Sequence, residues 1–170
     1  SIKRLEEAGV GALVTKSLFE EEVQLERFMF EEDLEKNNYR HPEMITEHPK
    51  VPFAGTKEHL MWVRKTCETV DIPVIGSLNA VNPDTWLDYA SQLERTGIDA
   101  LECNFFASPK HPERTAAEIE DQQVRLVQQL KATLSIPLSV KLSTFYTNPL
   151  QVARRMAAAG ADGLVLFNRL

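Results

Sequence analysis

The chain has 170 residues, 43% of them hydrophobic and 26% charged, an ordinary balance for a globular protein that can bury a sizeable core. Its formal net charge of -6 argues against a nucleic-acid partner, because phosphate backbones call for clustered basic residues. No apolar run is long enough to span a membrane, and the two cysteines, Cys67 and Cys103, suggest no disulfide framework, so a cytoplasmic location is expected.

Ser1 to Ala8 reads as an amphipathic helix rather than a secretory signal. An apolar strand follows near 12–17 and closes on the polar pair Lys16-Ser17. Residues 19–56 then break the rhythm and form an insertion after what would be the second barrel strand. The first part, Phe19 to Lys36, reads as an acidic amphipathic helix. The second carries His41-Pro42, His48-Pro49 and Val51-Pro52 without periodicity. A lid or contact loop over an active-site face and a solvated excursion with a structural role are both open readings.

After His59, which reads as a helix opening, a strand is expected near 73–79, with Ser77 and Asn79 on one face. Beyond the loop Asn82-Pro83-Asp84, Trp86, Tyr89, Ala90 and Leu93 make a helical apolar face. The next strand, near 99–105, puts Ala100, Glu102 and Asn104 on one side and Leu101, Cys103 and Phe105 on the other. A helix with Ile119, Val124, Val127 and Leu130 leads to a strand near 137–143, where Ser139 and Lys141 share a face. Val152, Met156 and Ala159 mark the last helix, and a strand near 163–168 ends at Asn168.

A weak repeat ties these units together. Ala-Gly-Val-Gly-Ala-Leu (8–13), Thr-Gly-Ile-Asp-Ala-Leu (96–101) and Ala-Gly-Ala-Asp-Gly-Leu (159–164) each close a helix and open a strand, and Asp-Ile-Pro at 71–73 recurs as Ser-Ile-Pro at 135–137. Strand and helix in alternation mean an α/β fold with a parallel sheet, here a TIM (β/α)8 barrel as one partial domain over 1–170, with about five of eight βα units present. The chain is therefore expected to be a piece of a longer enzyme; the other option is an open sheet whose edges a partner covers.

Polar residues at the carboxyl ends of successive buried strands are how such a barrel builds a site. Lys141 ends an otherwise apolar strand, and an ammonium there needs an anionic partner, either a bound anion or Glu102 on the neighbouring strand. For each of these polar residues a salt-bridged layer without chemistry is the competing reading. Cys103 faces outward and reads as a structural thiol. No His-x-His, His-Glu-x-x-His or Cys-x-x-Cys spacing occurs, so no metal is expected, and no Gly-x-Gly-x-x-Gly implies a dinucleotide fold.

The ordered set Val-Thr-Lys-Ser (14–17), Glu-Cys-Asn (102–104) with Ser108-Pro109 shortly after, Val-Lys-Leu (140–142) and Asp-Gly-Leu-Val-Leu-Phe-Asn (162–168) resembles the dihydroorotate dehydrogenase family of FMN-dependent β/α barrels. The resemblance extends over nearly the whole chain and is weakest between Glu20 and Lys57. It implies an oxidoreductase of pyrimidine biosynthesis type acting on CH–CH groups. Lys16, Ser17, Asn104, Lys141 and Asn168 would lie at FMN, with Lys141 against the isoalloxazine, and Asn79, Asn104 and Asn168 would lie at an anionic small-molecule substrate. Such enzymes often form homodimers.

The loop Asn104 to Lys110 departs from the family pattern. Ser108, the expected catalytic base, precedes proline as it should, but it sits one residue farther from Asn104, and Lys110 stands where an asparagine is usual. A paralogue with a different substrate is one consequence. A serine base also needs a proton relay, for which Thr144 and Tyr146 are the nearest candidates. Two other classes stay open: a phosphate-binding lyase or isomerase in which Lys141 forms a Schiff base or acts electrostatically, and a non-catalytic barrel subunit.

Overall fold

A computed structural model describes residues 2–20, 54–79, 82–105 and 112–167. Helix α1 (Ile2–Glu7) is followed by two short strands, β1 (Leu13–Val14) and β2 (Leu18–Phe19). Strand and helix then alternate: α2 (Ala54–Cys67), β3 (Val74–Asn79), α3 (Pro83–Glu94), β4 (Ala100–Asn104), α4 (Ala116–Thr133), β5 (Leu138–Leu142), α5 (Pro149–Ala158) and β6 (Gly163–Leu166). Among the described residues every strand pair is parallel, in the order β1-β3-β4-β5-β6, and β2 also pairs with β3. The result is a parallel half-barrel of the (β/α)8 type, with five strand positions along its curve.

The first strand position differs from expectation. Instead of one strand over 12–17, β1 and β2 lie in line along β3, and their registers differ by one residue: Val14 faces Ile75, whereas Leu18 faces Leu78. Residues 15–17 therefore oppose only Gly76 and Ser77, which is a β-bulge. Phe19, expected to begin a helix, is the last residue of β2. His59 likewise does not open a helix, because α2 starts at Ala54. Most of the 19–56 insertion, residues 21–53, lies outside the described residues.

Alternation along the strands sorts the two faces as expected. Leu78, Leu101, Cys103, Leu138, Val140 and Leu142 point outward into the helix layer and are fully buried. Trp86, Ala90 and Leu93 of α3, Val127 and Leu130 of α4, and Val152 and Met156 of α5 cover them. Trp86 meets Phe105 edge to face, with ring centroids 5.2 Å apart. At Gly76 the connector between α3 and β4 comes so close that an added Cβ would lie 2.7 Å from Ile98 Cδ1.

Helix starts are secured by carboxylates and amides. Thr115 and Glu118 form a reciprocal capping box at α4, and Asn148 accepts from the Gln151 amide at α5. Asn82 does not cap α3 with its own side chain. Its backbone N–H and carboxamide instead donate to Glu20, which is buried and also accepts from Thr85 Oγ1.

The repeat is a hydrogen-bonding device at the amino-terminal face of the sheet. Asp99 accepts the Val74 N–H at 2.8 Å and donates its own amide to the Val74 carbonyl. Asp162 brackets Leu138 in the same way and also accepts from Lys131 Nζ at 2.8 Å. Val74 and Leu138 each follow a proline, so both strands enter the sheet through the same clamp. Gly97 and Gly160, two residues before these aspartates, have φ of +95° and +107°, which an L side chain adopts only with strain. Glu6 and Glu94 complete the pattern by accepting the amides of Asp71 and Ser135 at the two connectors.

Candidate functional site

The inward face of the sheet is polar at the carboxyl end of the strands. Strand register stacks its side chains in tiers, as in a barrel interior. Ser77, Glu102 and Ser139 share one tier, and Asn104 and Lys141 are partners in the tier above. Asn79 is paired with Phe19 at the end of β3. Glu102 is 4% exposed, so its carboxylate has given up nearly all hydration and needs a cation. Lys141 Nζ supplies it from the tier above, at 2.7 Å from Glu102 Oε1. The anionic partner that Lys141 requires is thus within the chain.

The ion pair extends into a chain of hydroxyls. Ser77 Oγ donates to Glu102 Oε1 at 3.4 Å, and Ser17 Oγ lies 2.6 Å from Ser77 Oγ. Each hydroxyl has one proton. With the Ser77 proton directed to Glu102, the short contact requires Ser17 to donate to Ser77, which leaves the Ser17 oxygen with lone pairs to offer. The bulge makes this contact possible by bringing Ser17 opposite Ser77, while Lys16 stands at the exposed side of the bulge. Thr15 secures it, because its Oγ1 accepts the Ser77 N–H at 3.1 Å, while its own amide donates to the Ile75 carbonyl.

Asn104 adds an open valence. It is 6% exposed, and among the described residues its Oδ1 is buried without a hydrogen-bond partner. Such an oxygen costs about 1–3 kcal/mol unless a donor reaches it. Asn79 is buried at the end of β3. Ser108 and Asn168 lie outside the described residues. Of the two relay candidates, Tyr146 donates to Gln123 Oε1 on α4 at 2.8 Å, and burial pushes its phenol up to about 12. Its proton is committed to the helix layer. Burial also raises the Cys103 thiol, keeping it neutral in the core as its outward parity implies.

Sequence reasoning paired Glu102 with Lys141 but missed the link from Ser17 through Ser77. The available signal was three consecutive polar residues, Thr15-Lys16-Ser17, at the end of a buried strand. Regular alternation cannot place all three well, and the bulge resolves the conflict.

No protein-family model matches the chain. Over 120 residues it is 32% identical to dihydroorotate dehydrogenase A (fumarate) of Limosilactobacillus reuteri, a match covering 69% of this chain and 38% of that protein. It is 25% identical over 181 residues to the catalytic subunit of dihydroorotate dehydrogenase B (NAD(+)) of Methanocaldococcus jannaschii, covering 99% of this chain and 54% of the relative. The chain belongs to a dihydroorotate dehydrogenase-like family. It spans about half or less of the length of these relatives.

In this dihydroorotate dehydrogenase-like chain the Ser17–Ser77–Glu102–Lys141 network lies on the inward face of the sheet. Solved structures reveal the fold alone. YagE of E. coli K12, of the dihydrodipicolinic acid synthase family, superposes with a TM-score of 0.55 at 13% identity, covering 93% of this chain and 43% of that one. Phosphonopyruvate hydrolase does so with a TM-score of 0.55 at 15% identity, covering 93% and 58%.

Among the described residues no cluster of His, Cys, Asp or Glu is arranged to hold a metal, and no helix is long and apolar enough to cross a membrane. Cys67 and Cys103 are both free thiols.

Proposed function

We propose that the protein is an FMN-dependent dehydrogenase that oxidises a CH–CH bond in a dihydropyrimidine or a similar acidic ring. The observation that carries this reading is the buried Asn104 oxygen, without a partner among the described residues, on a residue that pairs in register with Lys141. An acceptor without a donor, an ammonium with N–H groups beyond the one given to Glu102, and the lone pairs of Ser17 form a mixed set. That set fits the alternating carbonyl and N–H edge of a flavin or of a pyrimidine ring. The relatives named dihydroorotate dehydrogenase support the same class.

When bound, FMN would supply hydride acceptance. Lys141, with Lys16, Ser17, Asn104 and Asn168, would hold it. The Lys141 ammonium would offset negative charge that develops on the ring, acting from a position fixed by Glu102. Asn79, Asn104 and Asn168 would orient an anionic substrate, and Ser108 would take the substrate proton. A cytoplasmic homodimer in pyrimidine biosynthesis is the setting that fits these roles.

A Schiff-base lyase is disfavoured by the Glu102 contact, because an ion-paired ammonium lacks the free lone pair that attacks a carbonyl. The test is direct. Titration of the protein with FMN should give a yellow complex with quenched flavin fluorescence, and anaerobic dihydroorotate or a related dihydropyrimidine should bleach it. Absence of flavin binding would overturn the reading.

A further inference from the structure

We infer that Glu102, backed by Ser77 and Ser17, is a positioning residue that fixes where the Lys141 ammonium sits and limits how much of its charge reaches a ring laid on the inward face. The redox part of this role rests on the flavin reading above; the pinning of Lys141 does not.

A lysine at the end of a strand has four rotatable side-chain bonds and could extend its ammonium to water. Here Nζ folds back to the tier below, to a carboxylate with a side chain 6% exposed, and the lysine side chain is itself only 24% exposed. Glu102 is in turn held by the Ser77 hydroxyl, and Ser77 is 1% exposed. Ser77 is fixed at two points, by Ser17 at its hydroxyl and by Thr15 at its amide. Every member sits on a different strand from the residue it holds, so the geometry of the first four strand positions converges on one ammonium.

Charge follows from this placement. A cation 2.7 Å from a buried anion presents a dipole rather than a full positive charge to anything above it. With Glu102 intact, the inward face would moderate the electron affinity of a bound flavin instead of maximising it. Removing the carboxylate charge would both loosen the lysine and expose its full charge.

The experiment has one arm without flavin and one with it. In flavin-free protein, the acetylation rate of Lys141, followed by mass spectrometry of its peptide, should rise about tenfold in Glu102→Gln, because the carboxylate no longer holds Nζ folded back against the sheet. Ser77→Ala keeps the carboxylate but removes its support, and should raise the rate in the same direction by a smaller factor. In FMN-loaded protein, the flavin midpoint potential should move positive in Glu102→Gln and return toward the parent value in Glu102→Asp. A purely structural Glu102 would lower stability or flavin content without moving the potential.

Unchanged Lys141 labelling in Ser77→Ala and in Glu102→Gln, where the latter folds, would overturn the positioning role. An unchanged potential would overturn its redox consequence. A parent protein that binds no FMN while Glu102→Gln still frees Lys141 would overturn the flavin reading and support the pinning.

Discussion

The amide of Ser77 donates to the side-chain hydroxyl of Thr15, at 3.1 Å, in the place where a regular parallel ladder would use a backbone carbonyl. Thr15 thus completes the sheet across the bulge and lets Ser17 reach Ser77. Thr15→Val keeps the shape and removes the acceptor, orphaning an N–H in a residue that is 1% exposed. A loss of about 1–3 kcal/mol in urea unfolding is expected, with Thr15→Ser close to the parent. If Thr15→Val is as stable as the parent, the hydroxyl is not the acceptor that closes the bulge.

Lys141→Ala should be costly before any cofactor is considered. It leaves the Glu102 carboxylate buried without its cation, for which about 3–5 kcal/mol is expected. Combining it with Glu102→Gln should recover most of that loss, because the pair is then removed as a unit. Denaturant unfolding of the three variants measures the coupling. In the flavin-loaded enzyme, Lys141→Ala should also slow flavin reduction by about 10²-fold, and additive stability losses or an unchanged rate would each contradict the roles given to Lys141.

Ser108→Ala should leave flavin content and the visible spectrum unchanged while slowing substrate-driven flavin reduction by about 10²-fold or more. Anaerobic single-turnover reduction over a pH series measures it. A variant that reduces its flavin as fast as the parent would move the base elsewhere and make Ser108 structural.

Acid should weaken the amino-terminal clamp that Asp162 makes on Leu138. The hydrogen bond from Lys131, then that from the Leu138 amide, holds the Asp162 carboxyl below the ordinary carboxylate value. Its contribution is present above the unfolded-state value of about 4 and is lost as pH falls through the lower folded-state value. Asp162→Ala should therefore be less stable than the parent at neutral pH, and the gap should close on acidification below about pH 4. Thermal unfolding at pH 7 and pH 3 would show it, and a gap that widens in acid would contradict the assignment.

Much of this architecture is written in local pattern. Alternation alone puts Leu101 and Cys103 outside and Glu102 and Asn104 inside, because side chains in a strand have a period of two and only one face meets helices. The same rule pairs Glu102 with Lys141, since neighbouring parallel strands carry them on one face. The repeated Gly-x-Asp segments and Ile-Pro connectors mark where strands enter the sheet, although their hydrogen bonds to Val74 and Leu138 needed coordinates to be seen.

The bulge at 15–17 was not legible. Its cause is a mismatch between Thr15-Lys16-Ser17 and residues 60 or more positions away on β3, and a pattern within one strand carries no information about the register of its partner. For the same reason Ser17 read as a separate candidate, whereas the fold makes it the outer end of a hydroxyl chain leading to Glu102. Composition and alternation determined which residues face inward on β3, β4 and β5. Only the tertiary structure decided which of them touch, because contact depends on register, and register is set by strand pairings that lie far apart in sequence.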